Sequence, residues 1–284
     1  MAAGSQVTSF EELNGLHRGE TVFIVGAGPQ LASVTDTQAR ELERRAAIGV
    51  NLTFYRVRTR YFLSAYIGQA MLARLRMPSS TVMHMRPVYG PPLSPGIMPL
   101  RRCNFDTSVG LTGALAAPEP TLFTLRNVAL GATHLAHVLG ARRIVYVGVE
   151  QRNQLHYWHL MPQVVPAMQR DIESLRDVPF LAADHPYATY ESLVRKIART
   201  AEESMVPFWR DSHEPSFREY FSILRAAGVS VVSTSPDSVV RDAGADFVPL
   251  EQILAEDPRR GSGFSESADL SGTPSRLRDD LGRE

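Results

Sequence analysis

Three groups of residues in this chain of 284 have types and spacings that could do chemistry. The first is Gly26-Ala27-Gly28-Pro29-Gln30, which follows the β-branched and aromatic run from Thr21 to Val25. Glycine accepts positive φ and lets a backbone or a phosphate come close, and proline presets φ for the first turn of a helix. A strand that runs through such a turn into a helix aims backbone N–H groups beyond the strand's carboxyl end, a ready anion site. The plainer alternative is that the glycines only tighten a turn. The second group is Asn51, which closes the apolar run Ala46–Val50. Its amide both donates and accepts, so it suits a base or a ribose. The third is a set of imidazoles. Six of the eight histidines lie from His134 onward, and His156, His159, His185 and His213 fall between residues 150 and 214.

These groups exclude chemistry as well as suggest it. A dinucleotide fingerprint reads Gly-x-Gly-x-x-Gly/Ala with an acidic residue about 20 positions on. Here Leu31 holds the third position and Asn51 ends the next strand, so NAD(P) is disfavoured. His156-x-x-His159 has the spacing of a metal pair, yet no carboxylate or cysteine stands beside it at ligand spacing, and no metal is expected. General acid or base work needs one imidazole, whose ordinary pKa of about 6.5 suits proton transfer near neutrality. His213, just before the helix that leads into the last strand, is the best-placed candidate. Its alternative is a water-exposed residue at a helix start. His134 and His137 read as polar edges of a packed helix. The chain lacks Asp-x-Asp, Gly-x-x-x-x-Gly-Lys-Ser/Thr and Gly-x-Ser-x-Gly, which argues against a metal-held diphosphate, a P-loop and a serine hydrolase. A departing phosphate would have to be stabilised by hydroxyls or cations, for which Tyr157, Tyr187, Tyr190, Arg126 and Arg152 are available.

Composition bounds what positions these residues. Hydrophobic residues make up 44% and charged residues 21%, proportions of a packed domain rather than a disordered chain. Thirty basic and thirty acidic residues cancel, so no global field draws in nucleic acid or an anionic membrane. The lone cysteine, Cys103, excludes an internal disulfide and a cysteine zinc site. No apolar run approaches the ~20 residues of a membrane span, and Met-Ala-Ala-Gly-Ser-Gln is not a signal peptide, so a cytoplasmic location is expected. Lys196 is the only lysine.

The order of elements predicts an α/β, Rossmann-like fold, with a mostly parallel sheet, helices on both faces and a helical lid insertion. Strands are expected at Thr21–Val25, Ala46–Val50, Tyr61–Ser64, Thr81–Met85, Arg143–Val149 and Gly228–Ser233. Helices are expected at Asp36–Arg45, Gln69–Arg76, Leu122–Leu139 and Pro215–Arg225. The Pro-rich stretch from 86 to 120 reads as a long loop, in which Arg101 to Asn104 is either an anion contact or solvated surface. Residues 1–255 form one nucleotide-binding domain in this reading. The lid occupies about 150–214, and 256–284 is a disordered tail.

Four segments taken together resemble a known family: Glu20–Leu31, Ile48–Asn51, Leu139–Glu150, and Val231–Ser238 with Phe247–Pro249. In order and spacing they resemble bacterial sialyltransferases of glycosyltransferase family 42, and equally the related 6-hydroxymethylpterin diphosphokinase MptE-like proteins. The resemblance implies that Gly26, Ala27, Gly28, Pro29, Gln30 and Asn51 hold a nucleotide-activated, CMP-linked sugar. The donor site is expected to take in Asn127, Gly148, Tyr157 and Ser235 as well, and Arg126, although Arg126-Asn127-Val128 stands where the family has Ser/Thr-Gly. His213 matches the family's base on the acceptor hydroxyl, and Tyr187 a lid tyrosine at the reacting centre. No metal and no cofactor beyond the donor co-substrate are implied, and the other partner is a glycan or small-molecule acceptor. The related proteins imply instead an ATP-dependent pterin diphosphokinase, and a non-catalytic nucleotide-binding module of the same fold is the third possibility. The family's turn usually reads Gly-Asn-Gly-Pro-Ser-Leu, so Ala27 and Gln30 depart from it. Oligomeric state stays open.

Overall fold

A computed structural model describes residues 9–86, 96–103, 121–123, 127–176, 190–205 and 210–256. Its described strands are β1 Thr21–Val25, β2 Ala47–Val50, β3 Tyr61–Ser64, β4 Thr81–Arg86, β5 Ile97–Cys103, β6 Thr121–Phe123, β7 Arg143–Val147, β8 Ser230–Ser233 and the two-residue β9 Asp246–Phe247. They form one parallel sheet in the order β6-β5-β4-β3-β2-β1-β7-β8-β9. The helices are α1 Asp36–Glu43, α2 Ile67–Arg76, α3 Val128–Val138, α4 Tyr157–Leu160, α5 Val165–Glu173, α6 Tyr190–Ala198, α7 Ala201–Ser204, α8 Arg210–Ala226, α9 Val239–Asp242 and α10 Leu250–Glu256. The predicted Rossmann-like class is what the chain adopts.

Parallel strands are covered on both faces, so their sequences run apolar without alternation, and all five residues of β1 are buried. Successive side chains still go to opposite faces. Val22 and Ile24 join Ile48, Leu63, Ile144 and the apolar side of α3 and α8 in one core layer. Phe23 and Val25 join Phe62, Val145 and Leu42 in the other. Met168, Ile172, Leu193 and Ile197 belong to that second layer, so the insertion's α5 and α6 are part of the core. Asp171 fastens α5 further. Its carboxylate receives Arg76 Nε at 2.6 Å, Arg76 Nη2 at 2.7 Å and the Tyr55 hydroxyl at 2.7 Å.

Three expectations are corrected. The stretch from 86 to 120 contains β5, so Arg101, Arg102 and Cys103 stand in a strand and not in a loop. Pro99, which lacks a ladder N–H, lies outside the described pairing with β6, which covers Arg101–Cys103. Leu122 belongs to β6, and α3 starts only at Val128, where the Asn127 side chain caps it by accepting the Ala129 N–H at 2.9 Å. Helix α8 begins at Arg210, ahead of Pro215, so His213 sits inside it. The proline removes one intrahelical bond near the start of a 17-residue helix, which the rest sustains. Asn104, Arg126, His185, Tyr187 and the tail from 257 lie outside the described residues. Among the described residues no helix is long and apolar enough to cross a membrane.

Candidate functional site

The chain leaves β1 for β2 on one side and returns to β7 on the other, which makes the β1/β7 boundary a topological switch point. In open parallel sheets ligands bind there, outside the carboxyl ends of the strands. A cleft of about 650 Å³ lies at that place, within the ~300–1,000 Å³ of small-molecule sites. Its floor is made by the residues that follow β1, β2, β3 and β7, and its far wall by α4, α6 and α8. Of the predicted site residues, Gly26, Ala27, Gly28, Asn51, Asn127, Gly148 and His213 line it together. Pro29, Gln30, Tyr157 and Ser235 do not, and Arg126 and Tyr187 are not among the described residues.

Two backbone positions mark the floor. Asn51 has φ 62° and Gln151 φ 53°, the only non-glycine residues with positive φ among those described, and both line the cleft. Such left-handed residues cost energy and cluster at ligand sites. Gln151 is held by a reciprocal amide pair with Asn127, at 2.9 and 3.2 Å.

The glycine turn behaves differently from the expected phosphate cradle. The Gly26 N–H donates to Val147 O and the Gly28 N–H to Gly148 O, each at 2.8 Å, so these two amides bind the β7 turn and not an anion. A Cβ on Gly26 would lie 2.4 Å from Gly148 O, which explains why glycine is needed. Gln30 extends the stitching: its Nε2 donates to Thr234 O at 2.6 Å, and its Oε1 accepts the Gly148 N–H at 3.0 Å. Beside the turn lies Glu150, 6% exposed, with neither carboxylate oxygen in hydrogen-bond geometry. Burial pushes its carboxyl up to about 7, and the charge of Asp237 adds to the rise. The nearby N–H groups of Glu150 and Gln30 and the Ser235 hydroxyl pull the other way. Ser235 is buried, its hydroxyl donates to Asp237 O at 3.4 Å, and it does not line the cleft.

The hydroxyls and cations expected to meet a phosphate are largely engaged. Tyr157 is buried and donates to Leu52 O at 2.8 Å, while Tyr190 donates to Glu173. Arg152 pairs with Asp237 at 2.8 Å and Asp242 at 2.6 Å. A different cationic set lines the cleft, namely Arg195, Lys196 and Arg199 at the carboxyl end of α6.

The imidazoles complete the wall. His213 is buried, and burial lowers its pKa, so the ring is neutral at pH 7. His156 stacks on Trp158 with ring centres 4.2 Å apart. His159 Nδ1 accepts the His156 N–H at 3.0 Å, which leaves the neutral ring's proton on Nε2, 3.3 Å from Ser204 Oγ. Among the described residues no three His, Cys, Asp or Glu side chains converge to hold a metal ion. His134 is fully buried in α3, in keeping with a packed helix.

No family model matches the chain, and neither a curated protein nor a solved structure matches it. What the site can do therefore rests on its own chemistry: a neutral base, amides on a strained floor, and cations on the far wall. Sequence reasoning missed Lys196 as a site residue, whereas Glu150, expected to face the crevice just beyond the strand that starts at Arg143, does line it. The local sequence of Lys196 carries no signal for the site, and only the packing of α6 brings this one lysine of the chain to the cleft.

Proposed function

We propose that the protein is a metal-independent glycosyltransferase that uses a nucleotide-activated, CMP-linked sugar. The observation that carries this reading is that the neutral imidazole of His213, the left-handed Asn51 and the cations of α6 share one cleft at the β1/β7 switch point. In the proposed step His213 takes the proton of the acceptor hydroxyl, and the freed oxygen attacks the anomeric carbon. The bond from that carbon to the donor phosphate breaks, and the charge left on the phosphate is stabilised by the cationic wall instead of a metal. Asn51 holds the nucleotide through its amide. Replacing His213 with Ala should lower transfer by about 10²–10⁴-fold while the CMP-induced rise in melting temperature persists. Unchanged turnover in that variant would remove His213 from the mechanism.

The engaged amides of Gly26 and Gly28 favour a second reading, a nucleotide-binding module without catalysis. It predicts a melting shift with CMP, UDP, GDP or ATP but neither hydrolysis nor transfer from any donor. An ATP shift that requires Mg²⁺ would point instead to a diphosphokinase.

A further inference from the structure

The β1 turn and the far wall of the cleft differ in charge. At the turn, where a bound phosphate would meet the chain in a Rossmann site, the Glu150 side chain is already in place. A Cβ on Gly28 would lie 1.8 Å from its Oε2. An approaching phosphate would meet a carboxyl group there and two amides already engaged. At the far wall the balance is reversed. Lys196 is half-buried and holds its ammonium 5.7 Å from the centre of the Trp158 ring, a cation–π contact. Arg199 follows three residues later and donates to the Gln154 side chain. His156 and His159 stand beside them, and burial first, then the charges of Lys196 and Arg199, disfavour protonation of both rings. Among the described residues no carboxylate lies within ion-pair distance of Lys196. The negative end of the α6 dipole offsets part of this repulsion, yet the cluster retains net positive charge inside a cavity.

We propose that the cleft binds the oxyanion of its ligand on the insertion, at Lys196 and Arg199 beside the His159 imidazole, and not on the glycine turn of β1. The ligand class is a phosphate or diphosphate ester whose uncharged part lies toward Asn51 and the strand ends. This deepens the nucleotide-sugar reading and rests on it only for the identity of the ester. Burial and the charge of Arg199 push the Lys196 ammonium down to about 8, so part of it is a free amine in mild base, able to react with an aldehyde.

The single lysine makes the test direct. The full-length protein is treated with pyridoxal 5′-phosphate, an aldehyde carrying a phosphate. The Lys196 amine condenses with the aldehyde to an imine with loss of water, and borohydride adds hydride to fix it as a secondary amine. Peptide mass spectrometry then compares Lys196 with the N-terminal amine, the only other primary amine. The expected result is preferential labelling of Lys196 that inorganic pyrophosphate suppresses in a concentration-dependent way. Pyridoxal without the phosphate should label about tenfold less, the loss expected of one charge-assisted contact. Lys196→Met should lose pyrophosphate binding, and Lys196→Arg should keep it. Labelling confined to the N-terminus, labelling of Lys196 indifferent to pyrophosphate, or equal labelling by pyridoxal would each overturn the proposal. Suppression by pyrophosphate but not by CMP would sink the nucleotide reading and leave the anion site standing.

Discussion

Glu150 Oε2 lies where a Cβ on Gly28 would have to go, only 1.8 Å away from it. The same Cβ would stand 2.8 Å from Gly148 O, whereas a Cβ on Gly26 would meet Gly148 O at 2.4 Å and Val149 Cγ2 at 2.6 Å. A side chain can give way and a paired backbone cannot. Both Gly26→Ala and Gly28→Ala should therefore destabilise the fold by about 1–3 kcal/mol or somewhat more. Adding Glu150→Ala should recover a measurable part of the Gly28→Ala loss and none of the Gly26→Ala loss. Urea unfolding of the two single and two double variants checks this, and equal recovery would show that Glu150 is not the crowding group.

The buried carboxyl of Glu150 also sets a pH dependence. Its folded pKa, about 7, stands above the ordinary 4.5. Between those values the folded chain binds more protons at this site than the unfolded chain, so stability falls as pH rises from 4.5 to 7 and stays lower above it. The full difference is on the order of 3 kcal/mol. Glu150→Gln keeps the shape and removes the ionisation. It should raise the melting temperature at pH 8, change it little at pH 5, and flatten the profile between. A Glu150→Gln profile parallel to that of the parent chain would contradict the assignment.

His213 gives the opposite limb. Its pKa is lowered by burial, so the base form is present at neutral pH and is lost only as pH falls below the ordinary 6.5. If it takes the acceptor's proton, kcat/KM of the parent chain should decline on the acid side of that value. A residual rate in His213→Ala should lack this limb. An unchanged acid limb in the variant would assign it to another group.

Asp171 joins the insertion to α2 through two bonds from Arg76, and to the turn after β2 through one from Tyr55. Arg76 is about one-third exposed and can turn to water when the carboxylate is removed, so the loss is less than for a fully buried pair. Asp171→Ala should cost about 1–3 kcal/mol, chiefly through the Tyr55 hydroxyl and the lost packing. Limited proteolysis should then cut within 150–205 sooner than elsewhere. Cleavage spread evenly over the chain would show that Asp171 does not hold the insertion specifically.

Much of the fold was legible because buried parallel strands announce themselves. β1 and β3 carry continuous apolar runs and begin and end where expected. Leu122 was misread because three residues of a strand and the apolar spacing of α3 blend into one helical period. β5 was hidden by Pro99 and by the prolines around it, which read as a loop. In the site, Gly26 and Gly28 were legible as a turn after a strand. Local sequence could not tell whether their amides met a ligand or the β7 turn, since Val147 and Gly148 lie some 120 residues away in the chain. Tyr157 was misjudged for the same reason, its hydroxyl being engaged by Leu52 O.

Asn51 allows the backbone and the side chain to be separated. Its φ of 62° is cheap for glycine and costs about 1–2 kcal/mol for an ordinary L-residue, asparagine being the best tolerated of the others. Asn51→Gly keeps the bend and should leave stability within about 1 kcal/mol of the parent or slightly above it, whereas Asn51→Ala should lower it by about 1 kcal/mol. Both remove the amide that the proposed function assigns to the nucleotide, so both should lose the CMP-induced melting shift to the same extent. A shift retained in Asn51→Gly and lost in Asn51→Ala would mean that the bend, and not the amide, is what the ligand requires.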